Sequence, residues 1–95
     1  MPEIKKIIWS LESSRKVTSI KEYLYNEWTE EEVKYFIKRL MHFEKLVTQH
    51  PEIFPVSKKS PNLRKAVITK YQSVIYEIDH NTIKVHTILD HRQKN

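Results

Sequence analysis

The sequence contains no glycine, and this absence limits the folds and active sites open to a chain of 95 residues. Phosphate-binding P-loops, the G-x-G-x-x-G turn of dinucleotide-binding folds and the G-x-S-x-G elbow of hydrolases all need glycine, because other residues adopt those backbone conformations only at a cost. These classes of site are therefore excluded. Left-handed turn positions must be filled by other residues, and asparagine and aspartate are the usual substitutes.

Cysteine is also absent, which excludes disulfides, thiolate catalysis and cysteine-based zinc sites. No apolar run approaches the roughly 20 residues that cross a bilayer, and no signal-peptide pattern is present, so we expect a cytoplasmic protein with no membrane partner. The net charge of +5 favours nucleic acid or an acidic protein as a partner. Most of this charge lies in residues 51–95, which carry eight basic and four acidic residues.

The length allows one hydrophobic core, so we expect a single domain over residues 1–95. Ile4 to Trp9 is rich in β-branched and aromatic residues and predicts a first strand. After it, Val17, Ile20 and Leu24 recur at helical spacing. This spacing predicts an amphipathic helix that ends near Asn26.

A second helix is marked at both ends. The Thr29 hydroxyl is placed to accept a hydrogen bond from the backbone N–H near Glu32, as in a capping box. Pro51 disfavours helical geometry in the residue before it, so the helix is expected to end at about His50. Between these ends an apolar stripe faces the predicted core: Val33, Phe36, Ile37, Leu40, Phe43 and Val47.

The remaining sequence predicts a loop and three strands. Residues 51–62 hold three of the four prolines and form the loop. The strands are Leu63 to Thr69, Ser73 to Ile78 and Thr82 to Leu89, and Asp79 to Asn81 supply a tight turn with asparagine or aspartate at the left-handed position. The order β-α-α-β-β-β predicts an α+β two-layer sandwich, with a helical hairpin packed on a mostly antiparallel four-stranded sheet.

Several short motifs in this order resemble a known family, the RelE/ParE superfamily of toxins from type II toxin-antitoxin systems, which serve in plasmid stabilisation. The motifs are His50-Pro51, Phe54-Pro55, Pro61-Asn62-Leu63-Arg64, Val74-Ile75-Tyr76 and Asp90-His91-Arg92-Gln93. The resemblance covers nearly the whole chain. It implies a sheet in the order 1-4-3-2 and a growth inhibitor that is neutralised by a cognate antitoxin.

The superfamily has two functional branches. RelE-like toxins cleave messenger RNA in the ribosomal A site, whereas ParE-like toxins poison DNA gyrase. The Pro-x-Leu-Arg entry to the second strand, the Ile-Tyr-Glu-Ile strand and the closing His-Arg-Gln are more similar to ParE. The resemblance therefore favours gyrase poisoning, with a ribosome-dependent endoribonuclease as the first alternative and a non-toxic antitoxin-binding member as the second.

A nuclease of this family would use metal-free attack by a ribose 2′-OH, which needs a cation at the phosphate and a proton donor for the leaving oxygen. Arg64 or Lys65 is the candidate to hold the phosphate, Arg92 to neutralise the transition state and His91 to donate the proton. The nuclease branch usually has a basic residue before the strand-three tyrosine, but here Gln72 to Ile75 precede Tyr76. This departure argues against an enzyme, and the arginines and histidine are alternatively ordinary surface residues.

Five basic residues are predicted to lie around one end of the sheet and to bind phosphate or an acidic partner: Lys58, Lys59, Arg64, Lys65 and Lys70. Few aromatic residues are interleaved with them, so base stacking is not predicted. The histidine spacings match no metal motif, and we predict no metal or cofactor. The antitoxin partner is expected to be acidic and to fold as it binds a sheet edge or groove.

Overall fold

The computed structural model describes residues 3–91. Its elements are β1 (Lys6–Trp9), α1 (Leu11–Glu27), α2 (Glu30–Gln49), β2 (Arg64–Val67), β3 (Gln72–Asp79) and β4 (Thr82–Asp90). The predicted order of elements is confirmed. The first two strands are shorter than their sequence patterns predicted, because Ile4 packs into the core before β1 begins and Ile68 already enters the turn after β2.

Side-chain hydroxyls cap both helices at the N-terminus. Thr29 accepts a hydrogen bond from the backbone N–H of Glu32 at 3.2 Å, as predicted. Ser10 accepts one from the N–H of Ser13 at 3.0 Å. Each bond satisfies a backbone donor that has no partner inside the helix. The second helix ends with His50 as its C-cap, immediately before the proline that was expected to stop it.

The sheet has the order β1-β4-β3-β2, and the predicted fold class is therefore confirmed. β1 pairs with β4 in parallel, whereas the β4–β3 and β3–β2 pairs are antiparallel. The helical hairpin connects β1 to the rest of the sheet and covers one of its faces. β4 lies inside the sheet, with hydrogen-bonded neighbours on both sides.

A β-bulge interrupts β4 and is fixed by the start of α1. Val85 pairs with Tyr76 and Thr87 pairs with Ile75, so His86 is the extra residue. The Ser10 hydroxyl donates to the His86 carbonyl oxygen at 2.8 Å, and the Ser10 N–H donates to the Val85 carbonyl oxygen at 3.0 Å. One serine thus both caps a helix and holds an irregularity in the neighbouring strand.

The β3–β4 turn contains the one positive φ angle recorded for residues 3–91, and it belongs to His80 at 57°. The expectation that asparagine or aspartate would take this position was wrong for this turn. Histidine is also enriched in the left-handed region. Its side chain is 2.8 Å from the carboxylate of Asp79, which in turn accepts from Lys84 at 2.8 Å. These contacts hold the turn without glycine.

The core lies between the helices and the face of the sheet that they cover. Its largest fully buried side chains are Ile20, Leu24, Phe36, Phe43, Val47, Val74, Tyr76, Ile83, Val85 and Ile88. Burying each such apolar side chain contributes on the order of 1.5–3 kcal/mol. No helix within residues 3–91 is long and apolar enough to cross a membrane.

Candidate functional site

Two side chains hold the loop between α2 and β2 against the sheet. The guanidinium Nη1 of Arg64 donates to the carbonyl oxygen of Phe54 at 2.7 Å and to that of Glu52 at 3.4 Å. The hydroxyl of Tyr76 donates to the carbonyl oxygen of Pro51 at 2.7 Å. Arg64 lies directly opposite Tyr76 in the β2–β3 register, so both side chains reach the same loop. We call this pair of side chains and the three carbonyls the loop anchor.

Aromatic contacts support the loop anchor from inside the core. The ring of Phe43 on α2 lies 6.0 Å from that of Phe54 and 5.6 Å from that of Tyr76. Phe54 and Tyr76 contact each other edge to face at 6.3 Å, and Trp9 contacts Phe43 at 6.4 Å. Such arrangements stabilise ring pairs beyond the area they bury. The loop is therefore part of the packed structure, although it has no helix or strand of its own.

The Tyr76 hydroxyl acts as a neutral donor. Burial raises the pKa of Tyr76 to about 12, and the nearby Arg64 charge opposes part of this increase. Desolvation has this effect because it penalises the charged phenolate. At physiological pH the hydroxyl keeps its proton and its hydrogen bond, so it serves the fold and is not poised to exchange protons with a substrate.

The five basic residues predicted to bind a partner divide among three places. Lys58 and Lys59 are exposed in the loop, near the start of β2. Arg64 is half-buried in the loop anchor, and the next residue, Lys65, projects from the opposite face of the sheet because successive strand side chains alternate. Lys70 is exposed beyond the far end of β2. The loop pair is the most accessible part of the predicted surface.

The structure separates two of the three predicted catalytic residues, and the third, Arg92, lies outside the described residues. Arg64 pairs with Tyr76, whereas the N–H of His91 donates to the carbonyl oxygen of Tyr71 at 2.9 Å. The two partners, Tyr76 and Tyr71, are five residues apart along the chain, which corresponds to about 16 Å along a strand. The backbone positions of Arg64 and His91 are therefore well separated in the sheet.

An apolar groove of about 300 Å³ lies between the two helices, with Trp9 of β1 at its edge. It is lined chiefly by Trp9, Val17, Ile37, Leu40 and Met41. The indole N–H of Trp9 donates to the carboxylate of Glu44 at 2.9 Å, which fixes one wall. Met41 is 63% exposed, and its flexible thioether can adapt to an apolar partner.

A second cleft, of about 380 Å³, lies between the α1–α2 connection and the β2–β3 turn, and we call it the tip cleft. Its aromatic walls are Trp28, Tyr35 and Tyr71, and its charged groups are Glu32 and Lys70. No motif in the sequence predicted this cleft. Trp28 is the C-cap of α1 and Tyr35 lies within α2, so helical spacing does not relate them. Only the fold brings Tyr71 to them.

Within residues 3–91 there is no cluster of three or more histidine, aspartate or glutamate side chains placed to hold a metal ion.

A family model described as "ParE toxin of type II toxin-antitoxin system, parDE" matches residues 7–95. The chain belongs to the ParE toxin family. This membership makes it a toxin of the type II toxin-antitoxin class. No curated protein sequence matches the chain.

Two solved structures share the fold of this ParE-family chain. The chromosomal ParDE toxin-antitoxin system from P. aeruginosa superposes with a TM-score of 0.76 at 11% identity, over 93% of this chain and 96% of that one. The E. coli DinJ-YafQ toxin-antitoxin complex superposes with a TM-score of 0.62 at 12% identity, over 95% of this chain and 94% of that one. At these identities the likeness establishes the fold alone.

Four of the five motifs that carried the family resemblance each contribute a residue to the loop anchor, and the fifth, Asp90-His91-Arg92-Gln93, does not. The two X-Pro pairs include Pro51 and Phe54, whose carbonyl oxygens are the acceptors, and the Leu-Arg and Ile-Tyr pairs supply Arg64 and Tyr76 as donors. In this ParE-family protein these four motifs thus have a structural role in holding the loop.

Proposed function

We propose that this ParE-family toxin arrests growth by binding DNA gyrase in the cytoplasm, and that it does not cleave RNA. The observation that carries the proposal is the engagement of Arg64 in the loop anchor, where its guanidinium donates to main-chain carbonyls at 2.7 and 3.4 Å. A phosphate-binding arginine must present those N–H groups to its substrate. Here the fold itself already uses the Nη1 group of Arg64.

The separation of Arg64 and His91 supports the same conclusion. General acid and electrostatic catalysis require each group within about 3 Å of its reacting atom. The register places these two side chains on opposite sides of β3 and about five residues apart along it. Binding a protein target needs an accessible surface, which the exposed pair Lys58 and Lys59 provides.

Growth assays and purified gyrase test the target. We expect the wild-type chain to inhibit supercoiling by gyrase and to leave cellular transcripts uncut. The double variant Lys58→Glu, Lys59→Glu should lose most of this inhibition because it reverses the charge of the proposed contact surface. The matched control Lys16→Glu, Lys21→Glu makes the same charge change on exposed positions of α1 and should inhibit like the wild type.

The alternatives give different results in the same assays. If transcripts are cleaved and gyrase activity is unaffected, the protein is an endoribonuclease and the gyrase proposal is wrong. Absence of growth arrest, together with tight binding to the product of the neighbouring reading frame, would instead identify a non-toxic antitoxin-binding protein.

We further propose that a cognate antitoxin lays the apolar face of a helix into the groove between α1 and α2. The groove is apolar and bounded by two helices, which suits an amphipathic helix that orders as it binds. The similar structures from P. aeruginosa and E. coli come from toxin-antitoxin systems. The basic surface of this chain complements an acidic antitoxin segment.

Calorimetric titration of the toxin with its antitoxin tests the groove. Met41→Glu places a charge on the exposed wall of the groove and should weaken binding by about tenfold or more, because the charge would be buried in the complex. Leu11→Glu is the matched control, since Leu11 is similarly exposed at 66% but does not line the groove. Equal affinities for both variants would show that the antitoxin binds another surface of the toxin.

A further inference from the structure

The tip cleft presents large aromatic side chains to solvent. Trp28 is 49% exposed and Tyr35 is 50% exposed, and both line the same cleft as Tyr71. Buried Leu24 and Phe36 form its floor. A concave site with an apolar floor, aromatic walls and a few polar groups has the composition of a binding site. Its volume of about 380 Å³ suits one side chain or small group.

One aromatic ring of the tip cleft is already in contact with a cation. The ammonium group of Lys70 lies over the ring of Tyr71, 5.9 Å from its centroid. The electron-rich face of an aromatic ring attracts cations at such distances, and tryptophan does so most strongly. The internal contact shows that a positive charge is accommodated at this position, and the Trp28 indole provides a stronger surface beside it.

The carboxylate in the tip cleft adds charge complementarity. Glu32 lines the cleft, and the first turn of α2 also carries Glu30 and Glu31. Glu31 lies 4.0 Å from Lys34 and does not line the cleft. Aromatic rings that surround a position beside a carboxylate are the groups that proteins use to bind ammonium and guanidinium ions.

We infer that the tip cleft binds a cationic side chain, arginine or lysine, presented by a partner protein. The cation would lie against Trp28 and Tyr35, with its charge paired to Glu32. Single-stranded nucleic acid also stacks on aromatic side chains, but it needs a basic groove for its phosphates. The cleft holds one lysine beside Glu32, and Glu30 and Glu31 belong to the same helical turn, so it is not a basic groove for phosphates and the cationic side chain is favoured.

The two tryptophans make a direct binding test possible. In the full-length ¹⁵N-labelled protein, the indole N–H signal of Trp28 reports on the tip cleft. That of Trp9, hydrogen-bonded to Glu44 far from the cleft, is the internal control. The probe is N-acetyl-arginine amide, compared with N-acetyl-citrulline amide, which has the same shape without the charge. We expect the arginine compound to shift the Trp28 signal in a saturable way and the citrulline compound to leave it in place.

Matched variants assign the contacts. Glu32→Gln keeps a residue that supports the helix cap. It should lower the affinity for the arginine compound by about three- to fivefold, whereas Glu31→Gln should leave that affinity unchanged. Tyr35→Ala should weaken it similarly, and Tyr25→Ala, which alters an exposed tyrosine outside the cleft, should not. Lys70→Ala removes a competing positive charge and should tighten binding.

Several results would overturn the inference. They are equal shifts with arginine and citrulline compounds, no shift of the Trp28 signal with either, or weakening by the control variants. A Trp28 shift produced only by a ribohexanucleotide would assign the tip cleft to nucleic acid. A shift that depends only on protein concentration would assign it to a second copy of the chain. None of these readouts depends on toxicity, so they are independent of the gyrase proposal.

Discussion

Tyr76 places a hydroxyl group inside the aromatic part of the core, where an unpaired polar atom would destabilise the fold. Its bond to the Pro51 carbonyl satisfies the phenolic donor and gives that buried carbonyl a partner. The same burial that makes the bond valuable raises the pKa of the phenol to about 12. One residue therefore links the packing of the loop to the pH dependence of stability.

We expect Tyr76→Phe to lower the free energy of unfolding at pH 7 by about 1–3 kcal/mol, because it leaves the Pro51 carbonyl unpaired. The difference should also depend on pH. A folded pKa raised from 10 to about 12 favours the protonated, folded protein, so this contribution is complete below pH 10 and is lost as pH rises towards 12. Urea unfolding of both proteins between pH 7 and 12 measures it.

The lysines titrate in both proteins and cancel in that comparison. The wild-type stability should fall more steeply than that of the variant, by at most roughly 1.4 kcal/mol for each pH unit between 10 and 12. Parallel curves for the two proteins would contradict the role assigned to burial of the phenol.

Arg64 gives a second prediction at the residue scale. Arg64→Ala should release the loop, because two carbonyl oxygens lose their donor. Hydrogen exchange of the backbone amides in residues 52–57 should accelerate by about tenfold or more, which corresponds to roughly 1.4 kcal/mol of local stability. Lys59→Ala, in the same loop but exposed, is the control and should leave exchange unchanged. Because Arg64→Ala also releases the loop, loss of toxicity in this variant would not by itself prove that Arg64 is catalytic.

At the scale of elements, the two N-cap residues differ in how many elements their side chains contact. The Thr29 cap is local, because its hydroxyl contacts only the following turn in the bonds described. Ser10 caps α1 and also donates to His86 in the bulge of β4, 76 residues away in sequence. A change at Ser10 therefore affects two elements at once.

We expect Thr29→Ala to lower the free energy of unfolding by about 1 kcal/mol, the usual value for loss of an N-cap. Ser10→Ala should cost more, by a further 0.5–1.5 kcal/mol or so, because it also removes a bond between α1 and the sheet. Denaturant unfolding of the two variants under one set of conditions gives the comparison. Equal losses would mean that the bond to His86 contributes nothing to stability.

The caps also show what the sequence can reveal about elements. Thr29 was predicted because a capping box is a pattern of four adjacent residues, and the apolar stripe of α2 repeats at a fixed spacing. The bulge at His86 and its serine partner depend on a register between distant segments, which no local pattern contains. For the same reason His80, and not its aspartate or asparagine neighbour, came to hold the left-handed turn position.

At the scale of the whole molecule, the sheet and helices share one core, and the two tryptophans lie in different parts of it. Trp9 contacts Phe43 between β1 and α2, whereas Trp28 lies at the tip of the helical hairpin. Small proteins of this kind usually unfold in one cooperative step. If the hairpin and the sheet stabilise each other, both sites should report the same transition.

The single-tryptophan variants Trp28→Phe and Trp9→Phe separate the two signals. Urea unfolding followed by fluorescence should give transitions that coincide with far-ultraviolet circular dichroism within each variant, with a slope of about 1–3 kcal/mol per molar urea. A Trp28 transition at lower urea than the circular dichroism of the same variant would show that the hairpin tip opens by itself.

The candidate sites were less predictable than the fold. The basic residues were recognised by type, but their division among the loop, the outer sheet face and the far turn depends on strand alternation and register. Arg64 matched the chemistry expected of a phosphate ligand, yet the loop that precedes it supplies carbonyl partners that sequence spacing does not show. The tip cleft combines residues from two helices and a distant turn, so no segment of the sequence contained it.

The position of β4 between β1 and β3 has a consequence for synthesis of the chain. Residues 6–9 are made early, but their hydrogen-bond partners, residues 82–85, are made more than seventy residues later. A nascent chain that stops short of residue 82 holds one unpaired strand and a separate β2–β3 hairpin, with no sheet to cover the helices. Every surface that depends on the complete four-stranded sheet thus forms only after β4 has been synthesised.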